Sequence, residues 1–210
     1  MIKAILFDMD GTLVDSERYY TEMYYKWLCQ YNVVDKKEIY KIVGLNMDDT
    51  YKTMSLLSGL SYDETKKSYD EYFGMHPMDY NDYLFNDVRD VLSKLQDYKL
   101  AICTLYSRRM LDKIIIDCSL NCFDLLLSDE DVKNPKPSPD IYLKAIERLG
   151  VNRDETLVIE DSSTGIKAGK NAGICTLARD SSRFFVDQSE ADYIFDDLHG
   201  VLNILNEKNI

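Results

Sequence analysis

The sequence predicts an α/β protein in which helices flank a parallel sheet and an all-helical domain is inserted after the first strand. Three observations carry this expectation. Five short apolar runs alternate with helix-like stretches. One interval of about seventy residues has helical periodicity and no strand-like run, too long for a loop inside a compact domain. Acidic, hydroxyl and basic side chains recur just past the apolar runs, where open parallel sheets bind their ligands.

Lys3 to Phe7 reads as the first strand and Lys99 to Thr104 as the second. Phe123 to Ser128, Thr156 to Glu160 and Ile174 to Ala178 follow as three more. Between them, Val88, Val91, Leu92 and Leu95 fall at i, i+3, i+4 and i+7 of a helix over 86–96. Ile141, Ala145, Ile146 and Leu149 make a similar stripe, which Gly150 should end. The expected division is a core of residues 1–14 and 86–210, with the helical insertion at 15–85. Twelve of the sixteen tyrosines lie between Tyr19 and Tyr83. Rings packing a small bundle while their hydroxyls reach water is the plain account of most of them; a few would line a pocket.

Bulk properties narrow the function. With 45% hydrophobic and 30% charged residues the chain is an ordinary globular one. A net charge of -12 argues against nucleic acid and anionic membranes as partners. The start of the chain lacks the pattern of a signal peptide, and its apolar runs fall far short of a membrane span. Cys29, Cys103, Cys118, Cys122 and Cys175 form no Cys-x-x-Cys pair, and only His76 and His199 accompany them. Buried, reduced thiols of a cytoplasmic protein fit better than a zinc site. Monomer and dimer are both open.

The chemistry is concentrated at strand ends. Asp8 and Asp10 follow the first strand, Thr104 closes the second, Lys136 lies in the loop after the third, and Glu160-Asp161 closes the fourth. Each alone has a plain reading. Asp-x-Asp-Gly is often a tight turn with Gly11 at positive φ. Glu160-Asp161 could cap a helix, Lys136 could be a solvated loop lysine, and Thr104 an ordinary strand residue. Together they place carboxylates around one crevice, where they would repel unless a cation sat between them. All-oxygen donors in an open site favour Mg2+ over Ca2+.

The run Phe7-Asp8-Met9-Asp10-Gly11-Thr12-Leu13-Val14-Asp15-Ser16-Glu17 resembles the first motif of the haloacid dehalogenase superfamily. Thr104 resembles its second motif, Lys136-Pro137-Ser138-Pro139-Asp140 its third, and Val158-Ile159-Glu160-Asp161-Ser162-Ser163-Thr164-Gly165-Ile166 its fourth. The match spans essentially the whole chain, and the first and fourth motifs are highly specific. The resemblance implies a Rossmann-like core with a C1-type helical cap, in the branch that holds β-phosphoglucomutase and small-metabolite phosphatases. It implies that Asp8 is the nucleophile and Asp10 its proton shuttle. Mg2+ would be held by Asp8, the Asp10 carbonyl, Asp161 and Glu160, and a phosphate by Thr104, Lys136 and the backbone N–H groups of Met9, Asp10 and Leu105.

The sequence departs from the family's pattern in two places. Leu105 and Tyr106 stand where small polar residues usually follow the threonine, and Pro135 where glycine is common. The cap would close over the site, with Tyr20, Asn46, Met47 and Tyr106 as pocket-lining candidates. Tyr20 matches a cap histidine of the mutases, and Met47, in the loop from Gly44 to Asp48, stands where they carry arginine. Without those charges a phosphatase acting on a small phosphorylated metabolite is expected, ahead of a sugar phosphomutase. A phosphate-binding scaffold without activity is the alternative from another class. Neither an EF-hand at Asp8–Glu17 nor a P-loop at 165–170 has the required spacing.

Overall fold

The computed structural model describes residues 1–32, 35–40, 42, 43, 45–184 and 186–208, without side chains for 183, 207 and 208. Six strands lie in one sheet: β1 (Ala4–Phe7), β2 (Lys99–Cys103), β3 (Leu125–Leu127), β4 (Thr156–Glu160), β5 (Cys175–Arg179) and β6 (Tyr193–Phe195). Their order is β3-β2-β1-β4-β5-β6, and every pairing is parallel. Strand order reverses at β1, so the crevice beyond the carboxyl ends of β1 and β4 is the topological switch point. All four residues of β1 are buried, as are all five of β4; strands covered on both faces need such runs.

The α-helices are α1 (Ser16–Leu28), α2 (Lys36–Ile39), α3 (Met47–Ser58), α4 (Tyr62–Met75), α5 (Tyr80–Tyr83), α6 (Val88–Ser93), α7 (Arg108–Asp117), α8 (Asp140–Leu149), α9 (Ser163–Asn171) and α10 (His199–Lys208). The chain falls into two compact units, Met1–Asp15 with Tyr80–Ile210, and Ser16–Asp79. Residues 80–85 group with the sheet. Asp15 N donates to Tyr83 O, Phe85 N donates to Leu13 O, and Val14 bridges Leu84. The Phe85 ring also lies 4.0 Å from the Arg179 guanidinium.

In the sheet unit, α8 buries Ile141, Tyr142, Ala145 and Leu149 against Leu6, Ala101, Cys103 and Val158. It stops at Gly150, whose φ of +65° only glycine adopts cheaply. The helix expected over 86–96 is shorter, with Asp87 as its N-cap and Lys94 as its C-cap. The expected set of five strands gains a sixth: β6 has only three residues, too few for a period-2 signal, and pairs at the sheet edge through Leu177–Tyr193.

The second unit is helical throughout its described elements. Trp27, Leu28, Ile39, Ile42 and Met54 pack with the rings of Tyr24, Tyr51 and Tyr69. Asp35, Asn46 and Ser61 cap α2, α3 and α4, and Ser61 forms a capping box with Glu64. Two tyrosines of this unit depart from the reading, made for most of them, that the hydroxyl reaches water. Tyr51 donates to Asp70 at 2.5 Å, while the Tyr69 hydroxyl is buried without a hydrogen-bond partner.

The expectation of buried thiols is corrected too. Only Cys103 and Cys118 are buried; Cys29 and Cys122 are exposed and Cys175 is half-buried, all five free. No helix among the described residues is long and apolar enough to cross a membrane.

Candidate active site

Four chain segments meet at the carboxyl edge of the sheet. Asp8 directly follows β1, its N–H donating to Ile159 O at 2.8 Å and continuing the β1–β4 ladder. The chain then turns sharply at Gly11, where φ is +75° and Gly11 N donates to Val14 O. A Cβ on Gly11 would overlap the Asp161 carboxylate, so glycine serves both the turn and the space beside that acid. Glu160 is the last residue of β4, fully buried, and Ser162 caps α9 through Gly165 N. Gly165 is likewise required: its Cβ would overlap the Glu160 carboxylate.

Lys136 lies in the loop between β3 and α8, preceding the cis Lys136–Pro137 peptide. Its ammonium donates to Asp8 Oδ1 at 2.5 Å, to Glu160 Oε1 at 2.7 Å and to Cys103 O at 2.9 Å. Three N–H donors thus meet three acceptors from β1, β4 and β2 in a site almost closed to water. Burial alone would lower the lysine's pKa, but the Asp8 and Glu160 carboxylates outweigh it and hold the group above its usual range.

Both oxygens of Glu160 are occupied. Oε1 accepts from Lys136 and, at 2.7 Å, from the Tyr142 hydroxyl; Oε2 accepts from Asp161 N, Ser162 N and Ser162 Oγ. Burial pushes this carboxyl up, but Lys136 and the other donors bring it below the ordinary glutamate value. Asp8 and Asp161 behave oppositely. Burial raises Asp8 to about 7 against the pull of Lys136, with Glu160 and Asp10 adding to the rise. Asp161 is raised well above the usual range by burial and by the charges of Glu160, Asp8 and Asp10.

Carboxylate oxygens of Asp8, Glu160 and Asp161 lie within 4.8 Å of one another, a set that can hold a cation. One ammonium faces this negative charge, and two of the acids are held above their usual pKa. The donor set is all oxygen and is electrostatically incomplete, so it fits a hard divalent metal. Asp10, half-buried, sits beside Gly11 in the turn, and Met9 is buried beneath it with its carbonyl accepting from Leu13 N and Val14 N.

Thr104 is buried one residue past β2, where its N–H continues the ladder to Leu127 O and its Oγ1 accepts from Tyr106 N. Leu105 is 43% exposed, so its bulky side chain lies outside the core. Tyr106 is half-buried, next in the same loop. Tyr20, Asn46 and Met47 belong to the helical unit. Tyr20 stacks on Phe73, Asn46 is engaged as the α3 N-cap with Asp49, and Met47 is exposed at the first turn of α3. Gly44 of the same loop lies outside the described residues.

One site residue was not legible in the sequence. Tyr142 occupies a core position of α8, with its ring centroid 5.1 Å from the Lys136 ammonium. A sign was available: a hydroxyl six residues past Lys136, on the face that must point into the sheet, has to find a polar partner there.

Comparison with known proteins finds relatives in sequence and in fold. The family model for haloacid dehalogenase-like hydrolases matches residues 5–179. The pyrophosphatase PpaX of Bacillus mycoides is 26% identical over 99% of both chains. A Thermotoga maritima protein provisionally named β-phosphoglucomutase superposes with a TM-score of 0.77 at 27% identity, covering 99% of this chain and 100% of the other. A Geobacter sulfurreducens hydrolase of the same superfamily shares the fold, with a TM-score of 0.73 and 20% identity over 97% and 96% of the two chains.

Proposed function

We propose that this chain, which belongs to the haloacid dehalogenase-like hydrolase family, hydrolyses a small phosphate ester or anhydride through a phospho-aspartate on Asp8. One observation carries the reading most directly. The buried Lys136 ammonium joins Asp8 to Glu160 while Asp161 stands beside them within reach of a shared cation.

In the first step an Asp8 carboxylate oxygen forms the bond to phosphorus as the bond to the leaving oxygen breaks. The electron pair departs on that oxygen, which takes a proton from Asp10. In the second, Asp10 takes a proton from water, the water oxygen attacks phosphorus, and the acyl phosphate bond breaks to return the Asp8 carboxylate and release phosphate. A positioned acid–base of this kind contributes roughly 10²- to 10⁴-fold. Thr104, Lys136 and the backbone N–H groups of Met9, Asp10 and Leu105 bind the phosphoryl oxygens. Lys136 is already charged and desolvated, and it meets the incoming anion by turning one of its three donors from its present acceptors to a phosphoryl oxygen.

Asp8, Asp161 and the Asp10 carbonyl would hold Mg2+, which supplies positive charge to the phosphoryl group when bound. Glu160 orients Lys136 and reaches the metal only by surrendering one of its five donors. The Bacillus mycoides relative is named as a pyrophosphatase, which makes pyrophosphate a substrate to test alongside sugar and other metabolite phosphates.

The test is a panel of phosphorylated metabolites, pyrophosphate included, assayed for phosphate release with and without Mg2+, using Asp8→Asn as control. Metal-dependent release that disappears in the variant is expected. Release that persists in Asp8→Asn would remove the nucleophile. Interconversion of hexose phosphates faster than phosphate release would make the protein a mutase.

A further inference from the structure

We infer that Gln188 is a positioning residue for Asp161, acting with Ser181 as a bracket beyond the ends of β4 and β5; this rests on the cation role proposed for Asp161. The β4–β5 ladder ends at the pair Glu160–Ala178. Past that rung the strands lose their backbone tie, yet the residue just after β4 is the acid that has to be held still. Gln188, buried, supplies the missing rung with its side chain. Its Nε2 donates to Asp161 O at 2.6 Å and to Arg179 O at 2.7 Å, and its Oε1 accepts from Ser181 N at 3.1 Å.

Every hydrogen-bonding group of that carboxamide is thereby used, with both hydrogens spanning adjacent strand ends. The same bracket aims a second group. Ser181, fixed by Gln188 through its N–H, donates its hydroxyl to Asp161 Oδ2 at 3.3 Å. The segment is anchored from the other side as well, because Ser163 Oγ on α9 donates to Asp187 O at 2.5 Å. Asp161 is therefore held at its backbone by Gln188 and at its carboxylate by Ser181. Without these contacts the carboxylate would be free to rotate away from Glu160 and Asp8, whose charges repel it.

Partners that orient a metal-binding carboxylate typically contribute roughly ten- to a hundredfold to metal affinity. A loop fastener with no such role would change stability and leave that affinity alone, which separates the two.

The experiment is isothermal titration of the metal-free full chain with Mn2+, without substrate, paired with thermal melts of the same samples. Gln188→Met keeps the volume and removes all three hydrogen bonds; Ser181→Ala removes only the hydroxyl. The Mn2+ dissociation constant should rise by roughly ten- to a hundredfold in Gln188→Met and by a smaller, measurable factor in Ser181→Ala. Affinity within about twofold of wild type in a cooperatively folded Gln188→Met overturns the inference. Should that variant fail to fold, unchanged affinity in Ser181→Ala overturns it. A wild-type protein that binds no Mn2+ would instead overturn the cation site itself.

Discussion

The ammonium of Lys136 stands 2.5 Å from Asp8 Oδ1 and 2.7 Å from Glu160 Oε1, so one buried cation ties the first strand of the sheet to its neighbour. Charge, packing and the proposed chemistry all pass through that contact. Replacing Lys136 by Met should therefore cost both activity and stability. Removing one partner of a buried pair leaves uncompensated charge, worth about 3–5 kcal/mol, and losing a phosphoryl-binding donor should lower turnover by roughly 10²- to 10³-fold. Urea unfolding and phosphate release measure the two separately. Lys136→Arg should not rescue, because a planar fork cannot place three donors on this tripod.

Tyr142→Phe should be a milder lesion of the same network. It removes one of the five donors to Glu160 and keeps the ring beside Lys136. A hydrogen bond to a buried charge contributes about 1.5–3 kcal/mol, the expected drop in unfolding free energy. Phosphate release should fall less than in Lys136→Met.

The pH dependence of the metal-free protein has a definite sign. Asp8 and Asp161 are raised, so between about pH 4 and pH 7 the folded state binds more protons than the unfolded chain. Their contribution to stability is full below the unfolded pKa and is lost as pH rises through the folded values. Glu160 is lowered and acts in reverse, losing its contribution as pH falls through its folded value. Lys136 is shifted upward and stays charged throughout. Melting temperature should decline across that window and the decline should flatten in saturating Mg2+. Metal binding should release protons, seen as a buffer-dependent enthalpy in calorimetry.

Gly165→Ala should disrupt the site without touching a reacting group. Its methyl would occupy the space of the Glu160 carboxylate, which is locked by its donors and cannot retreat. Overpacking of this kind costs about 1–3 kcal/mol, and displacement of Glu160 should loosen Lys136 as well. Denaturant melts and phosphate release should both decline.

Thiol labelling tests the burial pattern independently. Iodoacetamide should modify exposed Cys29 and Cys122 in the native protein, Cys122 slowly because partial desolvation of its sulfur and the nearby Asp124 charge raise its pKa. Cys103, pushed up to about 12 by burial, and buried Cys118 should react only after unfolding. Mass spectrometry of peptides locates each adduct.

Sequence alone determined the elements whose signal is local. The doubly buried runs of β1 and β4, the stripe of α8 with its glycine stop, and the helical interval follow from periodicities of two and 3.6 residues and from length. Asp8, Lys136, Glu160 and Asp161 were legible because parallel-sheet topology sends strand ends to one crevice. What belongs to long-range packing was not. The three-residue β6 gains its identity only by pairing with β5, and residues 80–85 join the sheet through contacts with Leu13 and Asp15.

Tertiary structure also decided what each acid does. Glu160 and Asp161 are adjacent and chemically alike, but one is saturated with donors while the other stands among like charges, so their pKa values move in opposite directions. Tyr142 and Gln188, six residues past Lys136 and twenty-seven past Asp161, carry no motif; they count only because the fold brings their polar ends to those acids. Burial makes that decisive: a polar group shut away from water must bond to whatever the fold sets beside it, and no local pattern states what that will be.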